Sequence, residues 1–172
     1  AIQMIEAGVL EDVDAIFATH LENDLPVGTI GFREGHTLCA IDEFEIIVHG
    51  RGGHAAQPHT TIDPVLVSSH VVIALQAIAS REVDPLKSVV VTVATVHGGE
   101  ASNVIANTVK LSGTVRTLLP ETRDHAEKRL GEIARGIAGS FGASVDVHYR
   151  RGYPVTFNHA DETEFALGIM RK

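Results

Sequence analysis

The chain has 172 residues, of which 44% are hydrophobic and 21% charged, and a formal net charge of −8; that length supports one core, or one domain carrying pieces of a second. The acidic balance argues against a nucleic-acid partner, whose phosphates are met by Lys and Arg. The absence of Trp, with two Tyr, argues against a stacking surface for sugars or bases, and the single cysteine excludes an internal disulfide.

In chain order, Ala1-Ile2-Gln3-Met4-Ile5-Glu6-Ala7 reads as helix closed by Gly8. Residues 13–21 read as a short apolar strand ending at His20, and 27–32 as a second. Cys39 lies where a small buried thiol is expected. From residue 37 the pattern alternates, with Phe44, Ile46 and Val48 on one side of a half-buried strand and Glu43, Glu45 and Ile47 on the other. That strand leads into Gly50-Arg51-Gly52-Gly53-His54-Ala55-Ala56-Gln57-Pro58-His59. Glycines there tolerate positive φ and leave room beside the main chain, so the run can present imidazole closely to another group.

Asp63-Pro64 reads as N-cap and first helical position of a helix to residue 81. Val67, Val71, Ala74, Leu75 and Ile78 mark its buried face, and Leu66, His70, Ile73 and Ala77 are expected to widen it. Residues 88–96 are a β-branched run, and 108–118 form a second strand expected to pair antiparallel with it across a Gly-rich loop. Pro120 opens another helix, with Ala126, Leu130, Ile133, Ala134 and Ile137 on its apolar face and Gly142 at its end. Residues 143–149 alternate as a fourth strand.

The order is β-α-β-β-α-β, an α/β (α+β) sandwich of ferredoxin-like type with two helices on one face of a four-stranded antiparallel sheet. The expected division is a lid-like domain over 37–152, with 1–36 and 153–172 as pieces of a neighbouring domain. A chain that opens without Met inside one helical pattern and stops inside another reads as part of a longer protein. No apolar run reaches about eighteen residues and no leader pattern is visible, so a membrane partner is not expected and a reducing, cytoplasmic setting is.

The chemistry is sparse. Neither His-Glu-x-x-His nor Cys-x-x-Cys occurs, and His54 with His59 is not a helical chelating pair. There is no Gly-x-Ser-x-Gly elbow. Gly98-Gly99 leads to a strand rather than to a helix N-terminus that could cradle phosphate. His20, at a strand end, reads either as a ligand projected from a sheet edge or as a turn cap. Arg116, on the open face with Lys110, Ser112 and Thr114, reads either as a bidentate carboxylate clamp or as a surface arginine. Asn103 reads as a loop cap or a substrate contact.

Together, several spaced blocks resemble the metal-dependent amidohydrolases and exopeptidases of the M20 peptidase type, especially hippurate hydrolases and N-acyl-amino-acid amidohydrolases. They are Ala18-Thr19-His20-Leu21 before Leu25-Pro26-Val27-Gly28, residues 44–54 with Pro58, Gly98-Gly99 with Asn103-Val104-Ile105, Gly113-Thr114-Val115-Arg116-Thr117, and Tyr153-Pro154-Val155 with Asn158. The resemblance implies a catalytic domain with two divalent metals, among zinc, manganese, nickel and cobalt, and an inserted lid that mediates homodimerisation through its first helix and an edge strand. It implies that His20 is a metal ligand, that His54 reaches the partner subunit's active site to hold the substrate oxyanion, that Asn103 is a second substrate contact, and that Arg116 pairs with the carboxylate of an N-acyl amino acid. The family's upstream metal motif, its Glu-Glu pair and its downstream metal-binding His have no counterpart in the sequence. The chain by itself is therefore expected to bind no metal stably and to be inert. The alternative is a stand-alone dimerisation or interaction module.

Overall fold

The computed structural model describes residues 2–171, which form two compact units, 2–35 with 158–171, and 36–157. In the first unit α1 (Ile2–Glu6) ends at Gly8, whose φ of +84° suits glycine, and α4 (Ala160–Met170) carries Phe165, its ring 6.2 Å from that of Phe17. Residues 13–21 and 27–32 are not strands, contrary to the sequence reading. A strand exists only as part of a hydrogen-bonded ladder, and among the described residues neither segment has a ladder partner. Their apolar side chains, such as Phe17, Leu21 and Val27, are exposed.

The second unit is the β-α-β-β-α-β sandwich. Its sheet is built from β2 (Ala40–His49), β4 (Val89–His97), β6 (Thr108–Thr117) and β7 (Ser144–Arg151), with α2 (Pro64–Ala77) and α3 (Pro120–Ser140) as the crossovers. β1 (Gly35–Leu38) and β8 (Thr156–Asn158) form a separate ribbon, as do β3 (Gly53–His54) and β5 (Val104–Ile105). The spatial order of the main sheet is β4-β6-β2-β7, antiparallel throughout. This leaves β4 and β7 as the edges.

The alternation of β2 is realised: Phe44, Ile46 and Val48 are buried, and on β6 so are Val109, Leu111 and Val115. These meet Val67, Val71, Leu75 and Ile78 from α2 and its continuation, and Ala126, Leu130, Ala134 and Ala138 of α3, in one core. At β6 the ring of Phe44 and the carbonyl of Thr92 occupy the space a Cβ on Gly113 would need, so only glycine admits that packing. Cys39, expected as a small buried thiol in the alternating segment, is only half-buried and falls in the break between β1 and β2.

Asp63 caps α2 as its position suggests, its Oδ1 accepting from the amides of Val65 (2.8 Å) and Leu66 (3.4 Å). The α-helix stops at Ala77 and continues as a π-helical turn over Ile78–Glu82. Glu82, at that turn, accepts from Arg129 Nε at 2.8 Å and contacts His125 Nε2 at 3.1 Å, tying the turn to α3. Pro64–Glu82 is, by length and composition, apolar enough to cross a membrane, contrary to the expectation of no such span. Its inner face is instead part of the core. The second apolar set on α2 does not widen that buried face: Leu66, His70 and Ile73 are exposed, Ile73 by 70%. One helix in a two-layer sandwich can turn only one face to its own sheet.

A buried ion pair anchors the start of α3. Asp42, 1% exposed, accepts from Arg123 Nη2 (2.5 Å) and Nε (2.9 Å), Tyr149 OH (2.8 Å) and the Gly152 amide (3.0 Å). Burial pushes the Asp42 carboxyl up, but the hydrogen bonds from Arg123, Tyr149 and Gly152 outweigh it and hold the carboxyl below the usual carboxylate range. Burial, reinforced by the carboxylate beside it, raises the Tyr149 hydroxyl, so both groups keep their neutral-pH states.

Candidate functional site

His54 is exposed at the end of β3, in a ribbon that pairs Gly53 with Ile105 and His54 with Val104. The Ala56 amide donates to its Nδ1 at 3.0 Å. A ring nitrogen that accepts carries no proton, so the neutral imidazole bears its hydrogen on Nε2 and presents a donor outward. Beyond it the chain turns back: Gln57 N–H donates to His54 O at 2.8 Å, and a 3-10 turn follows over Pro58–Thr60. The loop closes where Arg51 and Ile62 exchange main-chain hydrogen bonds, both 2.9 Å, and Arg51 Nε donates to Thr60 O at 3.1 Å.

The glycines serve space, not handedness. None of Gly50, Gly52 and Gly53 has positive φ, contrary to one reason expected for them. A Cβ at Gly52 would lie 2.5 Å from Ile105 O, so a side chain there would part the two strands of the ribbon.

Asn103 lies across the ribbon. The Ala55 amide donates to its main-chain oxygen at 3.0 Å, and its exposed side chain stands on the same short ribbon as His54. Nothing in the sequence signals this pairing, because β3 and β5 are two residues each and carry no periodicity. The structure thus brings two of the four expected site residues together.

Arg116 lies elsewhere. It is on β6, opposite Ile41 of β2 and Val90 of β4, on the open face as expected. From Thr108, next to the ribbon's connection, to Arg116 the strand advances by roughly 26 Å at about 3.3 Å per residue. Other cations on that face are paired, Lys110 with Glu45 and Arg150 with Glu43, whereas among the described residues Arg116 forms no ion pair.

His20 is exposed in the irregular segment of the first unit, not at a strand end. Among the described residues no three His, Cys, Asp or Glu side chains gather where they could hold a metal ion. A structural divalent site needs three or four such donors, so these residues do not by themselves fit the metal pair that the resemblance implies.

The model of the peptidase dimerisation domain family matches residues 38–141. Over 171 residues the chain is 38% identical to an N-acetyl-L-cysteine deacetylase of Bacillus subtilis, covering 99% of this chain and 40% of that protein. Over 154 residues it is 46% identical to an N-acetyldiaminopimelate deacetylase of Enterococcus faecalis, covering 88% and 41%. A solved structure from Bacillus subtilis, a dinuclear metal-binding peptidase of the M20 family, superposes with a TM-score of 0.74 at 32% identity, covering 97% of this chain and 41% of that one. The chain spans less than half the length of each of these relatives.

Proposed function

The chain belongs to the peptidase dimerisation domain family of M20 hydrolases, and from that premise we propose that it supplies the lid, the dimer interface and substrate contacts of a metal-dependent amidohydrolase acting on N-acyl amino acids. Two relatives named for removing acetyl groups from amino acids support the substrate class. We assign the unit of 2–35 with 158–171 to the catalytic domain, where the exposed apolar faces around Ile16, Phe17 and Ile169 would meet the rest of that domain. His20 would add one imidazole to a metal centre completed by residues of the rest of the catalytic domain. An unpaired Cys39 suits a cytoplasmic setting.

The observation that carries the reading is the exposed His54 imidazole, whose Nδ1 accepts from the Ala56 amide and so leaves Nε2 as the donor. As the scissile amide is attacked, its carbonyl oxygen gains negative charge, and a fixed neutral donor stabilises that charge more than it stabilises the ground state. Asn103, on the same ribbon, adds a second polar contact, and Arg116 would fork the substrate carboxylate.

The distance along β6 bears on how these residues share the work. A small N-acyl amino acid cannot touch both the ribbon and Arg116 of one chain. We infer that His54 and Asn103 reach into the partner's site while Arg116 serves its own. The homodimer would form through α2 and the β4 edge, where Leu66, Ile73, Val90 and Val96 are exposed beside unpaired strand groups.

Subunit mixing in the whole protein tests this. His54→Ala homodimers are expected to lose about 10²–10³-fold in kcat, the cost of one oxyanion donor. Arg116→Ala homodimers are expected to lose turnover chiefly through KM. Mixed dimers of the two variants should regain roughly half of native activity, because one of the two shared sites is then intact. Unchanged turnover in His54→Ala would leave only a dimerisation module, and mixed dimers without recovery would show that both residues act within one chain.

A further inference from the structure

We propose that Asn107 is the positioning residue for His54, an inference that rests on His54 being a substrate contact. Asn107 lies in the short connection between β5 and β6, and its two carbonyls receive the amides on either side of Arg51. Gly50 N–H donates to its main-chain oxygen at 2.8 Å, and Gly52 N–H donates to its side-chain Oδ1 at 2.9 Å. The next two residues are Gly53 and His54, whose ladder partners Ile105 and Val104 directly precede the connection that carries Asn107. One side chain thus stitches the base of the ribbon two residues before the imidazole.

The ribbon needs such a stitch. A two-residue antiparallel pair is too short to hold its own register, and the strand that carries His54 is approached through Gly50, Gly52 and Gly53, which restrict the backbone least. The space a Cβ would take at Gly52 is filled by Ile105 O and, at 3.0 Å, by Asn107 Oδ1 itself. The contact is therefore specific to an acceptor at position 107 facing a residue with no side chain at position 52. Without the acceptor, the Gly52 amide turns to water and the two strands are free to part. A shift of about 1 Å at a reacting group is enough to cost on the order of a hundredfold in rate.

A carboxylate offers the same acceptor at the same reach, so Asn107→Asp should keep the stitch and Asn107→Ala should break it. The test uses the whole protein and whichever of N-acetyl-L-cysteine, N-acetyldiaminopimelate and hippurate it turns over fastest. Asn107→Ala is expected to lower kcat about tenfold or more with little change in KM, and Asn107→Asp to stay within about threefold of native. On a His54→Ala background, Asn107→Ala should lower kcat by clearly less than on the native one, because the two act in large part through the same contact and only the share carried by Asn103 remains. Amide exchange over residues 51–56, followed by mass spectrometry, should quicken in Asn107→Ala and not in Asn107→Asp. Should Asn107→Ala fold poorly, Asn107→Leu, near-isosteric and without an acceptor, takes its place. The proposal is overturned by native kcat in Asn107→Ala, by an equal loss on the native and His54→Ala backgrounds, or by failure of Asp to rescue. Unchanged turnover in His54→Ala, or no turnover of any of the three probes, instead overturns the functional reading beneath it.

Discussion

The unit of 36–157 and the unit of 2–35 with 158–171 have similar apolar vocabularies and use them differently. Among the described residues, every buried apolar side chain except Ala166 lies in 36–157, while Ile16, Phe17, Leu21, Val27 and Phe165 stand exposed in 2–35 with 158–171. An apolar pattern becomes a core only when the chain also carries the opposing surface. The sandwich supplies both faces from its own sequence, β2 and β6 against α2 and α3. Even within it, α2 has one apolar face that meets the sheet and another, at Leu66 and Ile73, that does not.

The largest expected effect breaks the sandwich at its one buried ion pair. Asp42→Asn keeps the shape but leaves the Arg123 guanidinium, 13% exposed, without its counter-charge, and should cost about 3–5 kcal/mol in urea unfolding at neutral pH. Because the folded carboxyl titrates below its unfolded value of 3.8, its contribution is complete above that value and is lost as pH falls through the folded one. The gap between native protein and variant should accordingly shrink below about pH 4. A gap that holds constant down to pH 2 would show that the carboxylate's charge is not what stabilises.

Next is the contrast between the units themselves. Leu130→Ala removes a fully buried side chain from the core and should cost about 2–5 kcal/mol. Phe165→Ala, at a side chain 62% exposed, should stay within about 1 kcal/mol in this chain. Equal losses would mean that the flanking unit is stabilised as the sandwich is.

The smallest effect on folding, and the sharpest on assembly, falls on the outer face of α2. Ile73→Asp should leave the unfolding midpoint of the monomer nearly unchanged while weakening the proposed dimer by about tenfold or more in sedimentation equilibrium. An unaltered dimer would place the interface elsewhere.

Local signals were legible where their cause is local. The alternation of Phe44, Ile46 and Val48, the cap Asp63-Pro64, the β-branched run of β4 and the left-handed Gly142 after α3 each act over a few residues. The fold class followed from their order, and Arg116 was placed on the open face from strand parity alone. The strand read into 13–21 failed for the complementary reason: its side chains have the right pattern, but the ladder that would make it a strand requires a partner.

Sequence by itself therefore determined the main elements of the sandwich, their order and the glycines that frame His54. Tertiary structure decided what those elements bring together. It set Asn103 beside His54, separated Arg116 from both, and joined residues as distant in sequence as Gly52 and Asn107, or Asp42 and Arg123, which are 55 and 81 positions apart. Propensity and periodicity are properties of neighbouring residues. A contact across such separations depends on how whole elements pack, and a two-residue ribbon has no period from which to read it.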